Sequence, residues 1–169
     1  MSLEEKKAII RRYFEALNKQ DLSSIEDFVA SDYFDNTHQL RGLIYVKQFM
    51  TSVYKSFPDW HRTIEDIIAE GDKVWVRATD TYTHKGEFRG IAPTGNKITS
   101  RTVDIWRIVN GKMAESWNVT DTLDFLTQLV LSNTTDFLTK LSNSFDLQFS
   151  NPYAYRMSSE GDDCLILWL

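Results

Sequence analysis

Apolar residues recur at helical spacing early in the chain and alternate with polar ones later. Ser2 and Glu5 stand at capping-box spacing. Behind them Ala8, Ile9, Tyr13, Phe14 and Leu17 predict an amphipathic helix over residues 3–19. A second short helix is expected from Leu22 to Ala30, with Ile25, Phe28 and Val29 turned inward. Tyr33 to His38 reads as a loop or short strand. Gly42 opens a third helical pattern through Ile44, Val46, Phe49, Met50, Val53 and Tyr54. Phe57-Pro58-Asp59 ends it, because a proline disfavours helix at the residue before it.

After Pro58 the period changes to two. Strands are expected over Trp60–Ala69, Val74–Thr83, Ile98–Val109 and Met113–Val119. Gly71-Asp72, Pro93-Thr94-Gly95-Asn96 and Asn110-Gly111 supply the turns. Asn-Gly suits a type I′ hairpin, in which both central residues need positive φ. Asp121 to Val130 reads as a short closing helix. Strands joined by tight turns run antiparallel, and helices followed by strands predict an α+β fold. Residues 131–169 are rich in serine and asparagine and lack strict period. They read as an extension, a helix over Thr134–Leu141 and then an irregular tail with a loop at Asn151-Pro152. The organisation expected is therefore a domain over residues 1–130 and an extension over 131–169.

The faces of the strands carry the first functional hint, since side chains alternate across a sheet. Ile98, Ser100, Thr102, Asp104, Trp106 and Ile108 share one face of the long strand. Ala114, Ser116 and Asn118 share one face of the last strand, and Met113, Glu115, Trp117 and Val119 the other. If the small polar set faces the helices, it leaves a hollow with polar handles, as a ligand site requires. Met113, Trp117 and Ile105 then lie on an outer apolar face, which a second copy of the chain would cover. With the faces exchanged, Trp117 fills the core and Asn118 meets water.

Composition narrows the classes. The chain has 169 residues and a formal net charge of −5, which gives no basic footprint for nucleic acid. One cysteine, Cys164, excludes an internal disulfide framework and fits a reducing, cytoplasmic setting. The opening Met-Ser-Leu-Glu-Glu-Lys-Lys has no apolar run and does not read as a signal peptide. The apolar run Cys164–Leu169 is too short to span a bilayer, so no membrane association is expected. Its final Leu165-Ile166-Leu167-Trp168-Leu169 is expected to dock in a groove or a dimer. The three histidines show no metal-ligand spacing.

The stretch Thr83-His84-Lys85-Gly86-Glu87-Phe88-Arg89-Gly90-Ile91-Ala92-Pro93-Thr94-Gly95 resembles the signature of the SnoaL-like polyketide cyclase family. Val103 to Ile108, Gly111-Lys112, Glu115-Ser116-Trp117-Asn118, Asp121, and Leu126 to Leu129 with Gln128 resemble it too, over residues 3–130. The family belongs to the nuclear transport factor 2-like superfamily. The resemblance implies a cone-shaped α+β barrel: a curved antiparallel sheet packed on three or four helices, dimeric through the sheet, with a deep pocket. It also implies intramolecular aldol ring closure on an aromatic polyketide ester, with no metal or cofactor. An aspartate on the last strand would act as acid/base, opposite a histidine on the neighbouring strand.

Those two positions fall here on Asn118 and Asp104. An amide does not exchange a proton at neutral pH, but it donates a hydrogen bond to a developing oxyanion. Asp104, if buried among apolar neighbours, becomes a better base near neutrality. The catalytic candidates are therefore Asp104 as a relocated base and Asn118 as oxyanion support; the two could equally just bond each other. Asp35, His38, Tyr82, Trp106 and Ser116 are the candidate substrate-binding residues, Asp35 matching a pocket asparagine of the family. His84 is expected to tie its turn, and Asp121 to cap the last helix. Three functions stay open: a cyclase or isomerase on a carbonyl compound, a non-catalytic carrier of a small apolar molecule, and a lyase or hydrolase on the same scaffold. Epoxide opening would need a second carboxylate and an arginine beside Asp104. Arg101 and Arg107 fall on the opposite strand face.

Overall fold

The computed structural model describes residues 1–130; the expectations for 131–169, including the docking of the apolar end, lie outside them. Helix α1 spans Leu3–Asn18. Its capping box is formed: the Ser2 hydroxyl accepts from the Glu5 amide at 3.2 Å, and Glu5 Oε2 accepts from the Ser2 amide at 2.6 Å. Ile10, Tyr13, Phe14 and Leu17 form its buried stripe.

The expected second helix is a single 3-10 turn, Ser24–Asp27. Two events cut it short. The Phe28 amide bonds back to the Ile25 carbonyl at 3.0 Å, and the Phe28 carbonyl is taken by the Met113 amide at 2.7 Å. That second bond draws the chain into the sheet, and strand β1 (Val29–Asp35) begins. Strand β2 is short, Leu40–Arg41. Gly42, at φ +97°, then turns the chain into α2 (Leu43–Ser56) with its amide on the Tyr33 carbonyl at 2.7 Å.

The meander follows as β3 (His61–Glu70), β4 (Lys73–Thr83), β5 (Lys97–Val109) and β6 (Lys112–Thr120), and α3 (Thr122–Val130) closes it. Asn110 and Gly111, at φ +49° and +80°, make the expected tight hairpin. The six strands lie in the order β2-β1-β6-β5-β4-β3. The hairpin partners are antiparallel, but β1 runs parallel to β6, so the curved sheet is mixed and not closed. No turn dictates the direction of β1, because the whole meander separates it from its neighbour.

Two bulges reset the phase of the sheet. In β6 the register steps from Arg107↔Glu115 to Ile108↔Met113, which leaves Ala114 as the extra residue. Met113 therefore faces inward and is 1% exposed, correcting its expected place on the outer face. In β3 the register steps between Ile64 and Asp66. The inner face packs Val74, Val76, Ile98, Trp106, Ile108 and Met113 against the helices. Each such side chain, fully buried, stabilises by about 1.5–3 kcal/mol. The outer face leaves Ile68, Val103 and Val119 exposed. No helix among the described residues is long and apolar enough to cross a membrane.

The loop after β4 is fastened to the end of α2. The Lys85 and Gly86 amides both donate to the Ser56 carbonyl at 2.9 Å. A Cβ on residue 86 would lie 2.1 Å from the Lys55 carbonyl oxygen, so only glycine permits this approach. His84, fully buried, accepts the Thr94 amide on Nδ1 at 3.2 Å and ties the turn as expected. Asp121 caps α3 by accepting the Asp124 amide at 3.0 Å. Gln128 acts as a strand surrogate: its amide group bonds both the Thr99 amide (2.8 Å) and the Thr99 carbonyl (3.0 Å) where β5 runs past the end of β6.

Candidate active site

The inner faces of β3 to β6 converge on a polar row in an otherwise apolar interior. Asp104 on β5 pairs across the sheet with Asn118 on β6, and Trp106 with Ser116. Both serine and asparagine face inward, as the alternation requires. The Asn118 amide nitrogen donates to Asp104 Oδ1 at 2.7 Å. The Thr102 hydroxyl donates to Asp104 Oδ2 at 3.2 Å.

Strand β3 adds a partner that the alternation did not reveal. Arg62 reaches over β4 and places Nη1 2.9 Å from Asp104 Oδ2. Its Nε and Nη2 grip Asp80 of β4 in a bidentate pair at 2.5 and 2.6 Å. The guanidinium lies 4.9 Å from the Phe14 ring centre and 5.6 Å from that of Trp60. Burial works against this cation, but the Asp104 and Asp80 charges outweigh it and hold its pKa above the ordinary value. The expectation that Asp104 lies among apolar neighbours is thereby corrected. Its oxygens meet a guanidinium, an amide and a hydroxyl.

The row continues through β6 into β1. The Tyr33 hydroxyl donates to Ser116 Oγ, and Ser116 Oγ donates to Asn118 Oδ1 at 3.4 Å. Burial pushes the Tyr33 phenol far up, so it remains a donor. An unbroken chain of polar contacts thus runs Tyr33–Ser116–Asn118–Asp104–Arg62–Asp80. Trp106 is a core residue, 4% exposed, edge-on to Phe14. Tyr82 bonds Ser100 Oγ at 2.7 Å and packs on Phe57; burial pushes its phenol up to about 12.

The row is closed over rather than hollow. Ser116, Asp104, Ser100, Thr102 and Asp80 are all 5% exposed or less. Trp106 and Tyr33 are buried with it, and the Arg62 side chain is 13% exposed. An open cleft of about 340 Å³ lies instead between α1 and β3, with Arg11, Phe14, Asn18 and Arg62 on its walls. The row meets the surface at Asn118, which is half-buried.

There β1 turns back over β6. The Asn118 backbone N–H donates to Thr37 Oγ1 at 2.7 Å, and the Asn36 backbone N–H to the Ser116 carbonyl at 2.9 Å. Asp35, the register partner of Ser116, is buried. Its Oδ1 accepts the Thr37 and His38 amides at 2.9 and 3.1 Å, and its Oδ2 lies 2.8 Å from His38 Nδ1. Burial raises the Asp35 pKa; the bonds from His38 and Thr37 together outweigh it, and the carboxyl stays below the ordinary range.

The structure thus joins Asp104, Asn118 and Ser116 directly and brings Asp35 and His38 beside them. Trp106 and Tyr82 serve the packing around the row. Arg62, Asp80 and Tyr33 escaped the sequence reading. Asp80 left a signal, a charge in the inward phase of Val74, Val76, Ala78 and Tyr82. Among the described residues no group of three or more His, Cys, Asp or Glu is placed to hold a metal.

Comparison with known proteins fits this architecture. Residues 7–129 match the family described as SnoaL-like polyketide cyclase. Aklanonic acid methyl ester cyclase AcmA of Streptomyces galilaeus is 28% identical over 117 residues, 66% of this chain and 81% of that protein. The crystal structure of AclR from the same organism is 33% identical, with a TM-score of 0.69 over 76% of this chain and 97% of that one. TsrD of Streptomyces laurentii, 22% identical, shares the fold with a TM-score of 0.72 over 77% of this chain and 98% of its own.

Proposed function

Because this chain belongs to the SnoaL-like polyketide cyclase family, we propose that it binds a small, largely apolar, carbonyl-bearing polyketide and closes a ring in it by aldol chemistry. The substrate class is an aromatic polyketide ester; the relative AcmA is named for the methyl ester of aklanonic acid. A carbon next to a carbonyl loses a proton and attacks a second carbonyl carbon of the same molecule. The new alkoxide takes a proton back, so the product is an isomer of the substrate.

One observation carries this reading: the 2.7 Å bond from Asn118 to Asp104, whose other oxygen is held by Arg62 at 2.9 Å. The bond uses one N–H of the amide and fixes its plane. The second N–H is then a preoriented donor for an enolate or alkoxide oxygen. Asp104 serves as the anchor of that donor. The half-buried Asn118 is where the row meets the surface, so a ligand would enter at that end.

The test is incubation of the full chain with aklanonic acid methyl ester, with products separated and weighed by liquid chromatography–mass spectrometry. An isomer of unchanged mass is expected, and Asn118→Ala should lower kcat/KM by about 10²–10³. A wild-type chain that neither binds nor converts the ester defeats the reading. A second reading, addition or loss of water, is favoured by the convergence of Arg62, Asp80 and Asp104. That is the set of two carboxylates and an arginine which Arg101 and Arg107 could not supply. It gives a product differing by the mass of one water in the same assay.

A further inference from the structure

The ring closure proposed above needs a group that carries a proton from carbon to oxygen, and the inward row supplies none in a free state. Asn118 is an amide. Asp104 accepts from Arg62, Asn118 and Thr102. Tyr33 spends its proton on Ser116. The geometry points to His38, oriented by Asp35, as the proton-transferring catalytic residue of this site. The inference rests on the aldol reading.

Three features of the structure support it. First, the Asp35 carboxylate is itself fixed: buried, with Oδ1 held by two backbone amides, it presents Oδ2 to His38 Nδ1 at 2.8 Å. A carboxylate on Nδ1 selects the tautomer with Nδ1–H and leaves Nε2 bearing the lone pair. Second, the histidine side chain is 42% exposed, so Nε2 is reachable where the buried row is not. Third, the turn that carries it is fastened to β6 at the open end of the row, the Asn118 backbone N–H to Thr37 Oγ1 at 2.7 Å, and Asp35 is the register partner of Ser116. The imidazole is thus carried by a turn bonded to the strand that presents the Asn118 side chain.

The proton balance closes without another reagent. His38 Nε2 accepts the proton from the carbon beside the carbonyl, and the electron pair forms the new carbon–carbon bond. The resulting alkoxide takes the proton back from Nε2–H. Asp35 keeps its negative charge and steadies the imidazolium in between.

The surroundings set the pH at which this works. Asp35 on β1 faces the ring, Arg89 in the loop after β4 opposes it, and Phe49 of α2 packs beside it with Tyr45 against Phe49. The Asp35 hydrogen bond is the largest influence and holds the His38 pKa above its ordinary 6.5. Only neutral His38 is a base, so activity rises with pH through that raised value.

Two measurements on the full chain decide the matter. Histidine Cε1–H signals, followed by NMR, should give His38 a midpoint above 6.5 that falls in Asp35→Asn, while the ester shifts the His38 signal. In the cyclisation assay, His38→Gln should lower kcat/KM by about 10²–10⁴ at little change in KM. The wild-type kcat/KM should rise with the same midpoint as the NMR signal. A His38→Gln chain as active as wild type overturns this inference alone. So does bound ester that leaves the His38 signal unmoved. A chain that neither binds nor converts the ester overturns the function reading and this inference with it.

Discussion

Replacing Arg62 with methionine tests whether the polar row is held by its cation. The substitution keeps an unbranched apolar stem against Phe14 and Trp60 and deletes the guanidinium that ties Asp80 to Asp104. The two carboxylate side chains are 8% and 2% exposed, so water cannot replace the lost charge. Removing one partner of a buried ion pair costs about 3–5 kcal/mol. Loss of the two cation–ring contacts adds about 0.5–1 kcal/mol each. The 13% exposure of the Arg62 side chain argues for the lower half of that range, a net loss of about 4 kcal/mol. At a urea slope of about 2 kcal/mol/M, the midpoint should fall by about 2 M. Urea titration followed by tryptophan fluorescence reads this directly, since Trp60 and Trp106 flank the network. The neutral triple variant R62M/D80N/D104N should recover at least half of the loss, because a missing charge pair costs far less than a broken one. A single variant within about 0.5 M of wild type, or a triple variant no better than the single, refutes the reasoning.

Two further substitutions probe how the scaffold holds the site. Gly86→Ala forces a Cβ to within 2.1 Å of the Lys55 carbonyl oxygen, and should cost about 1–3 kcal/mol as the loop lifts off α2; a thermal melt checks it, and an unchanged Tm would show that the loop yields freely. Gln128→Leu strips both backbone partners from Thr99, so it should cost about 1–2 kcal/mol and speed hydrogen exchange at the Thr99 amide; unaltered exchange there would discount the surrogate-strand role.

Local signals made much of this fold legible. The capping box at Ser2, the Pro58 stop and the Asn110-Gly111 turn are short-range chemistry, and α1, α2 and the meander fall where they indicate. The start and the pairing of β1 were hidden because its partner, β6, lies about eighty residues away: Val29 and Ala30 read as the end of a helix, while Tyr33–Asp35 fell within the expected loop or short strand. The bulges hid more. Alternation counted back from Ala69 and Ile67 puts Arg62 on the outer face; the extra residue in β3 reverses that phase and sends its guanidinium inward. Ala114 does the same to Met113. A period-two count cannot register an inserted residue, because the insertion is satisfied by the neighbouring strand and not by the sequence around it.

The residue pair at 104 and 118 shows why these omissions bear on chemistry. The two positions face one another across β5 and β6 with 2.7 Å between a carboxylate oxygen and an amide nitrogen. At that separation two carboxylates could not both stay ionised. An amide at 118 is therefore the natural complement of a carboxylate at 104, and Arg62 is shared between that carboxylate and Asp80. Once that arrangement is in place, every charged group of the row is paired and internally bonded, able to orient a donor but poorly suited to releasing or accepting a proton. The proton has to be handled where a titratable group is both oriented and reachable. Asp35 and His38 meet that requirement at the edge of the same row; the sequence offered both as substrate-binding candidates but not the hydrogen bond that pairs them.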